Sequence, residues 1–71
     1  MANSVYRVTE IVGTSSESWE AATRTAVETA STTLRDLRIA EVVRLDVTID
    51  DGRVATYRAR LNVSFKYEGS D

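Results

Sequence analysis

Alternating apolar and polar residues fill two long segments in the second half of the chain, residues 39–49 and 53–67. Because successive side chains of a strand point to opposite sides, this alternation predicts two half-buried β-strands. The Asp50-Asp51-Gly52 sequence between them has the residue types that favour a tight turn, so a hairpin is predicted. The apolar side of the hairpin consists of Val43, Leu45, Val47, Ile49, Tyr57, Ala59, Leu61, Val63 and Phe65.

The register of this hairpin follows from the rule that directly opposed residues lie on the same side of a sheet. A two-residue loop at 51–52 would set Leu45 opposite Arg58, which mixes the apolar and polar sides. A three-residue loop, with Gly52 in the left-handed conformation, sets Leu45 opposite Tyr57 and keeps the sides separate. The three-residue loop is therefore predicted.

The second side of the hairpin is polar. The predicted register places Arg44 opposite Arg58 on this side, with Asp46 diagonal to Arg58. One helix covers only one side of a three-stranded sheet, so the polar side is expected to be either solvated or an interface between subunits. Its predicted members are Val42, Arg44, Asp46, Thr48, Thr56, Arg58, Arg60, Asn62, Ser64 and Lys66.

The first half of the chain predicts a strand and then a helix. Residues 5–12 are rich in β-branched and aromatic side chains, and Gly13 is predicted to end this strand. The helix is predicted over residues 16–37, where Thr14 and Glu17 have the spacing of a capping box and the two intervening serines are alternative caps. Small residues form one side of this helix, at Ala22, Ala26, Ala30, Thr33 and Leu37.

These elements predict an α+β domain with the order β-α-β-β. Strand 1 is expected to pair with strand 3, so that a three-stranded antiparallel sheet wraps around one helix. The 71 residues form a single domain, residues 1–71. A domain of this size buries only about 60% of its unfolded surface and usually needs a further source of stability. The chain has no cysteine or histidine, so oligomerisation or an ion with oxygen ligands is expected instead.

Composition argues against several classes of function. With 9 basic and 11 acidic residues and a net charge of −2, general binding of nucleic acid is not expected. No apolar run approaches the roughly 18 residues of a membrane span. Residues 1–4 lack the basic and apolar regions of a signal sequence, so a cytoplasmic protein is expected. Without histidine or cysteine, and without a phosphate-binding glycine loop or a tuned carboxylate pair, an enzyme is not expected.

Four short motifs stand out along the chain. They are Val5-Tyr6-Arg7-Val8, Gly13-Thr14-Ser15, Arg38-Ile39-Ala40-Glu41-Val42 and Tyr57-Arg58-Ala59. In their order and spacing, these motifs resemble the dodecins, a family of small hollow dodecamers that store flavins. The resemblance covers residues 4–68. It implies a β-α-β-β subunit and a homododecamer of cubic-type symmetry, with helices outside and sheets inside.

The resemblance also implies a changed ligand site. In flavin-binding dodecins an aromatic residue stacks on the flavin and a glutamine binds the ring edge, and these positions correspond to Ile39 and Arg58. Isoleucine cannot stack as an indole does, and arginine offers only hydrogen-bond donors. Some flavin dodecins have a basic residue at the position of Asp46, where the charge is reversed. Flavin is therefore not the expected cofactor.

A branch of the dodecins that lacks the aromatic residue is described as calcium-binding, and this sequence resembles that branch. Calcium prefers six to eight oxygen ligands. The candidate ligands are Asp46, together with Glu17 and Glu20 at the predicted helix start, while the hairpin tip Asp50-Asp51 is a further choice. The expected function is a non-enzymatic shell that binds or buffers calcium or a similar hard cation. The alternatives are a flavin or small-molecule carrier with a rewritten site, and a structural protein to which ions are incidental.

Overall fold

The chain folds in the predicted order β-α-β-β, and its three strands form one antiparallel sheet with β3 in the centre. The computed structural model describes residues 3–67. Both ends of the predicted domain, the last residue of the dodecin-like span and the first two of the residues considered for a signal sequence therefore lie outside the described residues. The predicted fold class and the pairing of strand 1 with strand 3 are confirmed. The elements are β1 (Tyr6–Ser15), α1 (Trp19–Ala30), β2 (Leu37–Asp50) and β3 (Arg53–Lys66).

Gly13 lies inside β1 and does not end it, so the predicted strand of residues 5–12 is too short. The glycine sits opposite Ala59 of β3, where the helix approaches the sheet most closely. A Cβ atom built on Gly13 would overlap the carbonyl oxygen of Ala22 and lie 2.7 Å from the Cβ of Ala26. The absence of a side chain at position 13 therefore lets the small side of α1 rest directly on the strand.

The helix is shorter than predicted at its start. Ser18 is the N-cap, and its hydroxyl accepts a hydrogen bond from the backbone N–H of Ala21 at 3.0 Å. The expected capping box of Thr14 and Glu17 is wrong because residues 14 and 15 belong to β1. The chain turns between the two elements with the N–H of Glu17 donating to the Ser15 hydroxyl at 2.9 Å.

The helix also ends early, at Ala30 rather than at residue 37. The hydroxyl of Ser31 donates to the carbonyl of Glu28 at 2.9 Å, and that of Thr32 donates to the carbonyl of Thr29 at 2.7 Å. Such bonds compete with continuation of the helix and explain why a run of serine and threonine stops it. Within residues 3–67, no helix has the length and apolar character needed to cross a membrane.

The hairpin turn is one residue shorter than predicted, and a bulge on β3 compensates for the missing loop residue. The loop has two residues, Asp51 and Gly52, with φ angles of 54° and 75°, as a type I′ turn requires. Gly52 is thus left-handed as predicted, but the three-residue loop and the pairing of Leu45 with Tyr57 are wrong. An extra residue on β3, Ala55, shifts the register so that Leu45 lies opposite Ala59. The bulge keeps the apolar and polar sides separate.

A second bulge reverses the alternation of β2 at its middle. Val43 is an extra residue on β2, so Val42 lies opposite the buried Leu61 and not on the polar side as predicted. Beyond the bulge Ile39 faces away from the helix, opposite Ser64. A strand that changes phase cannot be read as one continuous alternation, which is why the assignment of Val42 failed.

The helix covers only part of the sheet. A helix of 12 residues is about 18 Å long, whereas strands of 14 residues extend about 46 Å. The molecule accordingly measures 54 × 20 × 14 Å, and its radius of gyration of 14.6 Å exceeds the roughly 11 Å of a compact chain of similar length. The buried core is small, and it consists of Ala22, Ala26, Ala59, Leu61 and Val63.

Candidate functional site

The side of the sheet that faces away from α1 carries most of the predicted site residues, and we call it the open face. On β3 it is formed by the residues that alternate with the buried core. The pairing of the strands places every second residue of β1 on the same face. Every second residue of β2 lies there too, except that the alternation shifts by one residue at the Val43 bulge. Its central members are Val8, Glu10 and Val12 on β1, Arg58, Arg60, Asn62 and Ser64 on β3, and Ile39, Glu41, Arg44 and Asp46 on β2.

Asp46 and Arg58 form the best-defined interaction on the open face. They are directly opposed across β2 and β3, not diagonal as predicted. The Nε of Arg58 lies 2.7 Å from Oδ1 of Asp46, and its Nη2 lies 3.0 Å from Oδ2. This two-point contact is the strong geometry for an arginine and a carboxylate. Both carboxylate oxygens of Asp46 therefore already have a cationic partner.

The charges around this pair reinforce it. The hydrogen bond from Arg58 lowers the pKa of Asp46 below its ordinary value of 3.8, and the positive charges of Arg60 and Arg44 act in the same direction. The same bond raises the pKa of Arg58. Asp46 is thus a carboxylate surrounded by guanidinium groups, so it does not present a free negative charge.

Arg44 lies opposite Arg60, not opposite Arg58 as predicted, and two like charges meet across the strands. Glu10 of β1 reduces this repulsion, because its Oε1 lies 3.4 Å from Nη1 of Arg60. Glu41 lies on the same face opposite Asn62, and it is therefore diagonal to Arg60. The open face therefore carries charges of both signs, with Arg58 and Arg60 in ion pairs, rather than a patch of one sign.

Ile39 and Arg58, the two positions that the sequence resemblance assigns to the flavin contacts, are not brought together within one chain. Ile39 lies opposite Ser64, six residues from Arg58 along β3, which separates them by about 20 Å. The Ile39 side chain is 67% exposed. A ligand shorter than this distance could contact both positions only by lying between two copies of the chain.

The helix start holds the remaining predicted ligands. Glu20 is in the first turn of α1 as expected, and Glu17 precedes the Ser18 cap. Both carboxylates are exposed. Among residues 3–67 no three acidic side chains gather closely enough to hold a metal ion. The structure therefore does not bring Glu17, Glu20 and Asp46 together as one set. It also does not bring Asp50 and Asp51 of the hairpin tip together with a third acidic side chain.

Trp19 connects the helix start to the strand that carries Asp46, a link that the sequence pattern does not reveal. Its indole N–H donates to the backbone carbonyl of Asp46 at 3.0 Å, and its ring meets that of Tyr57 edge to face at 5.2 Å. The backbone of Asp46 is thus fixed to α1 while its side chain is fixed to Arg58. Trp19 therefore connects the start of α1 to both β2 and β3.

Comparison with known proteins gives one consistent family. The dodecin family model matches residues 5–68. The calcium dodecin of Mycobacterium tuberculosis is 46% identical over 63 residues, which span 89% of each protein. A crystal structure of the calcium-chelating calcium dodecin from that organism, described as having a novel calcium-binding site, superposes with a TM-score of 0.81, 45% identity, and 90% and 91% coverage of the two chains. A dodecin from Streptomyces coelicolor superposes with a TM-score of 0.88, 45% identity, and 94% and 96% coverage.

Proposed function

Because the chain belongs to the dodecin family, we propose that it assembles as a hollow homododecamer that binds or buffers calcium, or a similar hard cation, without catalysing a reaction. The observation that carries this proposal is the 46% identity to a calcium dodecin across 89% of the chain. Ile39 at the position of the flavin-stacking aromatic residue supports the same assignment.

The shape of the subunit supports assembly. Large apolar side chains remain exposed on the uncovered parts of the sheet, among them Ile49 at 69%, Ile39 at 67% and Val8 at 61%. Monomeric proteins rarely leave so much apolar surface in contact with water. Packing further copies against these positions would supply the burial that a core of five residues cannot.

Glu17 and Glu20 are the calcium ligands that we favour. Calcium requires several oxygen atoms that are not already bound to cations. The exposed carboxylates at the helix start meet this condition, and the hydroxyl groups and carbonyls of the same turn are further oxygen donors. Because one chain gathers fewer than three acidic side chains there, copies related by symmetry or water molecules would complete the site.

Asp46 remains a candidate ligand of lower rank. A cation would have to displace the guanidinium of Arg58 from two hydrogen bonds of 2.7 and 3.0 Å before the carboxylate could coordinate it. An acidic residue at position 46, where some flavin dodecins have a basic one, is therefore explained by the ion pair with Arg58 at least as well as by binding of a metal ion.

Calorimetric titration of the intact, EDTA-stripped protein with calcium tests this function. We expect saturable binding by the parent protein and its loss in the double variant Glu17→Gln/Glu20→Gln. Glu28→Gln, a change of equal charge on the same helix, is the matched control and should bind normally. A parallel titration of Asp46→Asn decides whether that carboxylate contributes. If calcium binding is absent from the parent protein, the proposed cation function is wrong.

The alternative of a flavin carrier is tested by the same preparation. Riboflavin fluorescence should not be quenched on addition of protein, because Ile39 offers no ring for stacking and Arg58 is held by Asp46. Strong stoichiometric quenching would overturn the cation assignment in favour of a rewritten flavin site. Sedimentation velocity on the same sample measures the assembly, and a stable monomer would contradict the shell.

A further inference from the structure

A basic pocket lies beside the end of β3, on the helix-covered side of the sheet and away from the open face. It is a cavity of about 550 Å³. It is lined by Arg7 and Thr9 of β1, by residues 33–35 after α1 and by residues 65–67 at the end of β3. The last of these, Tyr67, is also the last residue that the structure describes. The chain therefore continues directly from the wall of the pocket.

Three cationic residues line the pocket, and none has an acidic partner within residues 3–67. Arg7, Arg35 and Lys66 form no ion pair with any residue in that range, and no carboxylate there lines the cavity. The carboxylate of Asp36, next to Arg35 in sequence, lies 3.8 Å from Arg38 instead. The two paired arginines of the open face differ in this respect, because each has an acidic partner. The pocket is thus an unneutralised cluster of cations in a chain with a net charge of −2.

Contacts at the end of β3 fix the wall from which the chain continues. The N–H of Tyr67 donates to the carbonyl of Val5 at 2.9 Å, one step beyond the last paired residues of β1 and β3. The guanidinium of Arg7 lies 5.5 Å from the centre of the Tyr67 ring. Contact with an aromatic ring orients a guanidinium without neutralising it. Arg7 is therefore held close to the start of the following segment and keeps its charge available.

The next four residues of the chain, Glu68-Gly69-Ser70-Asp71, carry charge opposite to that of the pocket. This segment, which lies outside the described residues, contains two acidic residues and no basic one. Fully extended, four residues span about 13 Å, which exceeds the diameter of a sphere of 550 Å³. Glycine, serine and aspartate are also common in turns, so this sequence allows the chain to leave the line of β3 towards the pocket.

We propose that residues 68–71 dock in the basic pocket of their own chain, where Glu68 and Asp71 pair with its arginine and lysine side chains. A single exposed ion pair is weak. Here the covalent link supplies an effective concentration on the order of millimolar, so a few such pairs suffice. The docked segment neutralises the cations and closes the pocket with residues of the same chain. This contact is independent of the proposed calcium function, because it shares no residue with the proposed calcium ligands.

Disulfide capture in the intact protein, at low salt and with EDTA present, tests this contact. The chain has no cysteine, so only introduced thiols can react. Thr33→Cys places one thiol on an exposed position of the pocket wall, and Ser70→Cys places the other on the segment. A disulfide requires the two Cα atoms to approach within about 7 Å. With diamide as the oxidant we expect rapid formation of an intrachain disulfide, measured by mass spectrometry and on a non-reducing gel.

The matched control places the first thiol on the open face instead. Ser64 lies there, three residues and about 10 Å before Tyr67 along the strand. A segment that moved freely would reach this position as well as the pocket wall. The pair Ser64→Cys/Ser70→Cys should therefore react at least tenfold more slowly than the pair with Thr33→Cys.

Removal of charge tests the pairing itself. Glu68→Gln/Asp71→Asn should slow the reaction at the pocket wall about fivefold, and Arg35→Gln should slow it about twofold, because each removes weak ion pairs. Arg24→Gln changes an exposed arginine of α1 outside the pocket and should leave the rate unchanged. Equal rates at the pocket wall and the open face, no reaction at either, or a rate that does not respond to the loss of charge would overturn the proposal. A covalent dimer in place of an intrachain disulfide would overturn it in favour of the segment of a neighbouring copy.

Discussion

Successive residues of the central strand β3 face two different environments, the helix on one side and the open face on the other. Ala59, Leu61 and Val63 lie under the helix and are at most 1% exposed. Arg58 and Arg60, which alternate with them, lie on the open face and bind the carboxylates of Asp46 and Glu10. One side of the strand thus holds the subunit together by close packing, and the other presents pairs of opposite charge that are already formed.

This difference separates what builds the subunit from what it offers to partners. The covered side is a minimal core with two large buried side chains, Leu61 and Val63. The open side contains no buried residue and is bordered by exposed apolar ones. Substitutions on the two sides should therefore differ in how much they change stability and in whether that change depends on pH, which the following three predictions test.

The largest effect is expected on the covered side, from Leu61→Ala. Removal of a fully buried leucine leaves a cavity and costs about 2–5 kcal/mol of unfolding free energy, a large share of the stability of so small a core. Urea denaturation monitored by the fluorescence of Trp19 measures this loss. Ile49→Ala removes a side chain that is 69% exposed in the subunit, so its effect measures what assembly contributes at that position. Equal losses in both variants would show that assembly, and not the covered face, dominates stability.

Gly13→Ala should have the next largest effect. The added Cβ would overlap the carbonyl oxygen of Ala22, so the helix must move away from β1. Overpacking of this kind costs about 1–3 kcal/mol. Thermal unfolding measures the change. Gly52→Asn is the control, because a side chain at position 52 meets no atom within 4 Å and asparagine tolerates its φ of 75°. A parent-like melting temperature in Gly13→Ala would contradict the close approach.

The smallest effect, and the one that depends on pH, is expected on the open face from Asp46→Asn. The pKa of Asp46 is lowered in the folded chain, so its stabilising contribution is complete above the ordinary value of 3.8 and is lost as pH falls through the lowered folded pKa. The melting temperature of Asp46→Asn should therefore lie below that of the parent at pH 7, and the two should converge in strong acid.

Asp50→Asn is the control for this comparison, because the Asp50 carboxylate forms no ion pair within residues 3–67. It should leave the melting temperature close to that of the parent at both pH values. A difference between Asp46→Asn and the parent that persists unchanged in strong acid would indicate lost packing and not a lost charge pair.

The architecture was predictable from the sequence, whereas the register and the length of the helix were not. Alternation in residues 39–67 identified two strands, and Gly52 identified a turn with positive φ, because these signals are local. The bulges at Val43 and Ala55 each insert one residue into a strand and leave no signal in the alternation. Without these bulges, Val42 is predicted on the wrong side of the sheet, and Arg44 is predicted opposite Arg58 instead of Arg60.

The candidate site was predictable in part for a related reason. Asp46 and Arg58 were identified as neighbours, but a corrected register was needed to show them directly opposed and bonded at two points. Whether Glu17 and Glu20 bind calcium remains a prediction.

The bulges of the outer strand β2 also bear on how the protein can grow. Arg38 and Val43 are both extra residues on β2, which forms one edge of the sheet. An edge with uneven spacing of its N–H and carbonyl groups is a poor template for a further strand, since a regular partner would fall out of step within a few residues. Backbone pairing with another strand at this edge would therefore extend over only a few residues. Such an edge favours an assembly that closes on itself over a fibre that lengthens without limit.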